Sequence, residues 1–184
     1  SGYTTVVLTA VFSTYFVGAV AGNAAWATLL WVTSLSFSYL LSMLLMPVVG
    51  AWCDRHAKKK RALFVSMLGC VIGTTALGWS GLGDIAWSVF WIIISNLSFS
   101  AGESLIAAFL PELAKNDAMG KVSSWGWAWG YVGGMLTLAI CLFWIIHGIH
   151  SGYTTTQVVP QTMWITAAIF LLSSSYTFWR LPER

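Results

Sequence analysis

Long apolar runs, broken by short polar or charged segments, form the pattern of this chain. The first 53 residues contain no Asp, Glu, Lys or Arg, and neither do the 58 residues 122–179. A helix needs roughly 20 apolar residues to cross the hydrocarbon core of a bilayer, because backbone groups left unpaired in lipid cost several kcal/mol each. Each charge-free stretch is therefore long enough for two membrane-spanning helices.

Turn signals divide the apolar runs into six predicted spans. The spans fall at about residues 3–20, 26–51, 62–79, 85–110, 122–146 and 160–179. Asp84 is expected to cap the fourth span, which Pro111 ends, and Pro47 is expected to kink the second. The sequence thus predicts an all-α membrane protein with one six-helix transmembrane domain over residues 1–184.

Composition supports a membrane protein and excludes several other classes. The chain is 58% apolar and only 8% charged, whereas a soluble domain carries about 25% charged residues. The first apolar run has no basic residue before it in this sequence and is followed by further spans, so we expect a structural helix and not a signal peptide. Cys53, Cys70 and Cys141 are scattered and imply neither disulfides nor zinc. The net charge of +3 resides in loops, so we expect no nucleic-acid partner.

The basic residues predict the orientation, because cytoplasmic loops retain Lys and Arg. All nine fall on one side of the predicted topology: Arg55, Lys58, Lys59, Lys60, Arg61, Lys115, Lys121, Arg180 and Arg184. Both chain ends and the loops 54–61 and 111–121 should therefore be cytoplasmic. The pattern does not distinguish a bacterial inner membrane from a vacuolar one.

The segment from Gly50 to Arg61, GAWCDRHAKKKR, is similar to the signature between helices two and three of major facilitator superfamily transporters. It departs from the Gly-x-x-x-Asp-Arg-x-Gly-Arg/Lys-Arg/Lys pattern at Ala57, where the family has Gly. The resemblance implies the N-terminal half of a 3+3 inverted-repeat fold. It also implies a latch for the outward-open state, formed by these residues: Gly50, Asp54, Arg55, Lys58 and Lys59. The alternative is a loop that only sets the topology.

A narrower resemblance covers most of the chain. Residues 4–12 (TTVVLTAVF) with Tyr15-Phe16, residues 108–114 (AFLPELA) and residues 130–134 (GYVGG) resemble the vacuolar amino-acid effluxer group, which is related to an autophagy-linked yeast permease. That resemblance implies amino acids as substrates and a second six-helix half, absent from this chain, that completes the site.

Glu103 is the one carboxylate expected inside a span. Asn96, Ser100 and Glu103 are spaced i, i+4 and i+7, so they share one helix face. Intramembrane ionisable groups point to function, and a buried Glu103 would have a raised pKa and exchange a proton as a cavity opens to alternate sides. The alternative is a neutral Glu103 that bonds a neighbouring helix.

Glycines at four-residue spacing predict close helix packing. The fifth span carries Gly126, Gly130 and Gly134, joined by Gly133, and the third span carries Gly69 and Gly73. His147 and His150 lie in a predicted outer loop with no acidic residue nearby, so no metal site and no cofactor are expected.

These patterns favour one half of a secondary transporter that moves a small solute by alternating access, with a missing C-terminal half or a second copy as its partner. A six-helix scaffold or channel subunit is the alternative. A membrane-embedded enzyme is disfavoured, because no cluster of nucleophiles or metal ligands accompanies the single intramembrane carboxylate.

Overall fold

The computed structural model describes residues 11–20, 25–56, 58–81, 84–114 and 118–180. Within these ranges the regular structure is helical, and five helices are long and apolar enough to cross a membrane. The helices in chain order are α1 (Ser13–Tyr15), α2 (Ala27–His56), α3 (Lys59–Leu77), α4 (Ile85–Leu113), α5 (Met119–His150) and α6 (Thr155–Arg180). The predicted all-helical membrane architecture is confirmed at this level.

The first predicted span, residues 3–20, falls only partly within the described chain. Residues 3–10 lie outside it, and residues 11–20 form α1 between π-helical turns. Phe12 and Phe16 are fully buried, and their ring centroids lie 6.1 Å and 5.5 Å from that of Trp31 in α2. This segment therefore packs on the helix bundle, while the count of six crossings stays a prediction.

Two helices continue beyond the apolar runs that predicted them. α2 extends to His56, so Asp54 and Arg55 belong to its last turn instead of a loop, and α5 extends to His150. The bilayer limits how many residues must be apolar and does not limit the helix itself. Cations in a last turn also interact favourably with its free carbonyls, which stabilises the end of α2.

The two ends of α4 also differ from the predictions. Asp84 precedes the helix, but its carboxylate accepts a hydrogen bond from the Gly81 N–H at 3.0 Å instead of capping α4. Asp84 thus occupies the predicted N-cap position, but the side-chain cap expected there is not made, because the carboxylate closes the preceding turn. Pro111 lies inside α4, which ends at Leu113. A proline this close to a helix end removes only one backbone hydrogen bond.

Helices α3 and α4 pack closely through small residues. A Cβ built on Gly73 would lie 2.9 Å from the Ser95 Cβ and 3.1 Å from the Ser95 Cα. A Cβ on Gly69 would lie 2.5 Å from the Ser98 Oγ. The Thr74 and Ser95 hydroxyls add a hydrogen bond at 3.2 Å. Lipid supplies no hydrophobic drive between helices, so close contact and hydrogen bonds hold this pair together. Gly69 and Gly73 thus occupy a helix contact, as their spacing predicted.

The C-terminal turn of α3 is held by two tryptophans. The Trp164 indole N–H of α6 donates to the Thr75 carbonyl at 3.1 Å, and the Trp87 indole of α4 donates to the Ala76 carbonyl at 3.0 Å. The last carbonyls of a helix lack a donor four residues on, and here the Gly78 N–H donates to the Thr75 carbonyl at 3.0 Å and the Trp79 N–H to the Ala76 carbonyl at 3.2 Å. The two indoles add a second donor to each carbonyl and fix α6 and α4 beside the end of α3.

Two apolar clusters close the bundle at its opposite ends. At the end that carries the basic turn, Cys53, Leu63, Leu105 and Phe109 join α2, α3 and α4. The opposite cluster joins residues 11–20 to α2, α3, α4, α5 and α6 through Phe12, Tyr15, Phe16, Ala27, Trp31, Leu77, Ile92, Cys141, Val159 and Met163. The alternating helix directions thus bring all described basic residues to one end.

The close contact at Gly73 can be tested by Gly73→Ala. The overlap with Ser95 should cost more than the roughly 1 kcal/mol that alanine gains in helix propensity, so the free energy of unfolding should fall by about 1 kcal/mol net. Gly102→Ala is the matched control, because its Cβ would lie 3.8 Å from the Ser66 Cβ, an ordinary contact. Unfolding in detergent measures both. A Gly73→Ala protein as stable as the control would contradict this packing.

Candidate functional site

The predicted latch residues lie at the junction of α2 and α3. The Lys59 Nζ lies 3.1 Å from the Asp54 Oδ1, and Asp54 remains 66% exposed. The pair borders a small cavity of about 50 Å³ whose far wall is Ser104, Leu105 and Ala108 of α4. Asp54 is therefore anchored within the chain while most of its carboxylate stays accessible to a partner.

The rest of this basic turn is also ordered by local contacts. The Lys58 N–H donates to the Cys53 carbonyl at 3.3 Å, and the Lys58 Nζ lies 6.0 Å from the centroid of the Trp52 ring. Arg55 is exposed. Among the described residues, nothing lies within 4 Å of a Cβ built on Gly50. Gly50 thus makes no close helix contact within this part of the chain.

Asn96 is buried at the contact between α2 and α4. Its Nδ2 donates to the Ser38 Oγ at 2.8 Å, and the side chain is 5% exposed. Ser34, Ser38 and Ser42 are all buried along the same face of α2. Their spacing of four residues could have predicted this polar helix contact, which sequence reasoning missed. Asn96 therefore holds two helices together.

Glu103 occupies a different environment from Asn96. Its side chain is exposed, not buried as expected, and it lines a cleft between α3, α4 and α6. Ser100 is half-buried and does not line that cleft. The three residues follow the predicted helical spacing, but the structure does not gather them into one pocket, because α4 presents Asn96 to α2 and Glu103 to the cleft.

The cleft around Glu103 combines one carboxylate with hydroxyl groups and aromatic rings. Its volume is about 130 Å³. The hydroxyls come from Ser66, Ser98, Ser173, Ser174 and Thr177, and the rings from Phe99, Phe170 and Phe178. Small polar residues leave the carboxylate uncovered and surround it with groups that donate or accept hydrogen bonds. This site can hold a cationic or amine-bearing group, or a proton. The signal that sequence reasoning missed is the Ser173-Ser174-Ser175 run of α6.

The glycine face of α5 is largely uncovered. A Cβ built on Gly126 or Gly133 would meet no described atom within 4 Å, whereas Gly134 is buried and Gly130 half-buried. Residues 124–129 are exposed on every side of the helix. The helix-packing role predicted for this face therefore has no partner at Gly126 and Gly133 among the described residues.

The described residues contain no group of three or more His, Cys, Asp and Glu side chains placed to hold a metal ion. His147 and His150 lie on the last turns of α5 and not in a loop, and both are exposed. The His147 ring stacks on Phe143 with centroids 6.1 Å apart. These histidines therefore act as surface groups of a helix end.

Comparison with known proteins identifies the family. Residues 2–138 match the model of the Major Facilitator Superfamily. The chain is also similar to the uncharacterized MFS-type transporter YxiO of Bacillus subtilis (strain 168), with 26% identity over 145 residues, which cover 77% of this chain and 34% of that protein. The chain thus spans about a third of the length of this curated relative. No solved structure matches. The family match covers well over half of the sequence, and the chain belongs to the Major Facilitator Superfamily.

Proposed function

We propose that this chain forms the N-terminal half of a secondary transporter that moves a small solute by alternating access. The observation that carries the proposal is a bundle of membrane-length helices in a chain of this superfamily that spans only 34% of a transporter relative. Transporters of this kind place their substrate between two repeats that rock against each other. This chain would supply one wall of such a site.

The proposed half contains six crossings in a 3+3 inverted arrangement. Residues 3–20 would provide the first crossing, since residues 11–20 are helical and Phe12 and Phe16 are buried against α2, and the five long helices would provide the others. The basic end of the bundle would face the cytoplasm, because Lys and Arg are retained there. Both ends of the chain would then be cytoplasmic.

The uncovered face of α5 supports a second unit as partner. Gly126 and Gly133 leave a flat helix surface with no described neighbour within 4 Å. Flat glycine faces favour close approach of another helix over contact with lipid. The partner would be a C-terminal six-helix half or a second copy of this chain.

The latch would work through the exposed part of Asp54. Lys59 forms an ion pair with the Oδ1 atom on one side. A helix of the partner half would donate hydrogen bonds to the accessible side of the carboxylate. Gly50 borders the same small cavity as Asp54, and Arg55 and Lys58 are the other proposed latch residues. The latch would form in one conformation and break in the other, so that it biases which side of the membrane the central site faces.

Glu103 is proposed as the coupling or substrate carboxylate. It is the charged group of the cleft between α3, α4 and α6, within a predicted membrane span. A proton or a substrate ammonium group would neutralise it, and small hydroxyls would bind the rest of a compact polar solute. Ser100 and Asn96 would support the helix that carries it. Amino acids are the proposed substrate class, as the resemblance to the vacuolar effluxer group implies.

Glu103→Gln tests the coupling role. Uptake of a panel of radiolabelled amino acids into vesicles, driven by an imposed pH gradient, should fall about 10- to 100-fold, because a charged hydrogen-bond partner contributes about 1.5–3 kcal/mol. Substrate exchange without a gradient should persist if Glu103 carries only the proton. Asp84→Asn is the matched control, since that carboxylate is exposed at the opposite end. Unchanged gradient-driven uptake in Glu103→Gln would remove Glu103 from coupling.

Asp54→Asn tests the latch. An exposed ion pair contributes about 0–1 kcal/mol to stability, so loss of the Asp54–Lys59 pair should leave unfolding nearly unchanged. Transport should nevertheless fall several-fold, and cysteine labelling should report a shift toward the inward-open conformation. Lys121→Gln controls for loss of a charge on the same side. Normal transport together with unchanged labelling would show that the turn only sets topology.

A further inference from the structure

A second, larger groove lies on the other side of α3 from the Glu103 cleft. It runs between α2 and α3 with α4 as its floor, and its volume is about 780 Å³. Both α2 and α3 pack mainly on α4 and hardly on each other, which leaves the space between them open. The groove is thus a lateral opening in the bundle surface and not part of the proposed solute site.

The wall of this groove is apolar. Val48 of α2 and Val65 of α3 are 65% and 67% exposed, and Leu97 of α4 forms part of the floor. The α2 side alone extends from Leu45 to Trp52, about 10 Å along the helix axis at 1.5 Å per residue. This length and lining suit the upper part of an acyl chain.

The groove ends in two cations. Lys58 and Arg61 both line its polar end, beside Trp52. The neighbouring Lys59 is paired with Asp54, whereas neither Lys58 nor Arg61 forms an ion pair with any other described residue. An arginine guanidinium matches the geometry of a phosphate, and a tryptophan ring suits the membrane interface. The charge at this end therefore complements an anion.

We infer that the groove binds one anionic phospholipid, with its phosphate between Lys58 and Arg61 and one acyl chain between α2 and α3. A zwitterionic lipid offers the same phosphate but places an ammonium group beside the two cations, which disfavours it. Basic pockets between membrane helices on the cytoplasmic side hold anionic headgroups in this way. The inference does not depend on a transport cycle.

Native mass spectrometry of the full-length protein in detergent tests this site, with palmitoyl-oleoyl phosphatidylglycerol and palmitoyl-oleoyl phosphatidylcholine as probes. Two basic residues should give a preference for phosphatidylglycerol of about 30-fold, since each contributes about fivefold near an anionic group. The double variant Lys58→Gln/Arg61→Gln should lose this preference. The double variant Lys121→Gln/Arg180→Gln, which removes two exposed charges at the same end outside the groove, should keep it.

The acyl half of the site has its own test. Val65→Trp fills the groove from an exposed position and should weaken binding of both lipids at least several-fold. Leu172→Trp, at a residue of α6 that is 72% exposed, is the control and should bind as the parent does. Equal affinity for the two lipids, equal loss in both charge variants, or unchanged binding in Val65→Trp would each overturn the inference.

Discussion

The close packing of α3 on α4 is the contact on which the rest of this bundle depends. Gly69 and Gly73 let the α3 backbone approach Ser95 and Ser98 to distances that no Cβ would permit. In lipid, helices gain nothing from hiding apolar surface, so short contacts and hydrogen bonds decide which helices pair. α4 then holds α2 through the bond between Asn96 and Ser38. α3 in turn holds α6 through Trp164.

Hydropathy was sufficient to predict the long helices, because lipid forbids unpaired backbone over about 30 Å and so forces helices onto every long apolar run. It did not predict where helices stop in water. α2 continues past its apolar run through Asp54, and α5 continues past its own to His150, because a polar helix end is stable in the headgroup region. The Asp84 carboxylate does not cap α4 for a local reason, because it accepts a hydrogen bond from the Gly81 N–H instead.

The environment of Glu103 could not be predicted from spacing alone. Helical periodicity places Asn96, Ser100 and Glu103 on one face of α4. Which neighbouring helix covers each of them depends on how the helices cross, and residues far along the chain determine that. Asn96 of α4 bonds to α2, whereas Glu103 lines the cleft that α3 and α6 border. The buried serines of α2 hold the contact with Asn96. The small serine side chains of α6 leave the cleft beside Glu103 open.

The Glu103 cleft and the apolar groove share the α3–α4 contact as a common wall. Ser66 and Ser98 border both spaces, so α3 separates the Glu103 cleft from the apolar groove. The basic turn that carries Asp54, Lys58 and Lys59 leads directly into α3. Whatever binds that turn, a partner helix at Asp54 or a headgroup at Lys58, therefore acts on the same helix that borders Glu103. The proposed latch, the proposed lipid site and the Glu103 cleft are thus all bordered by α3.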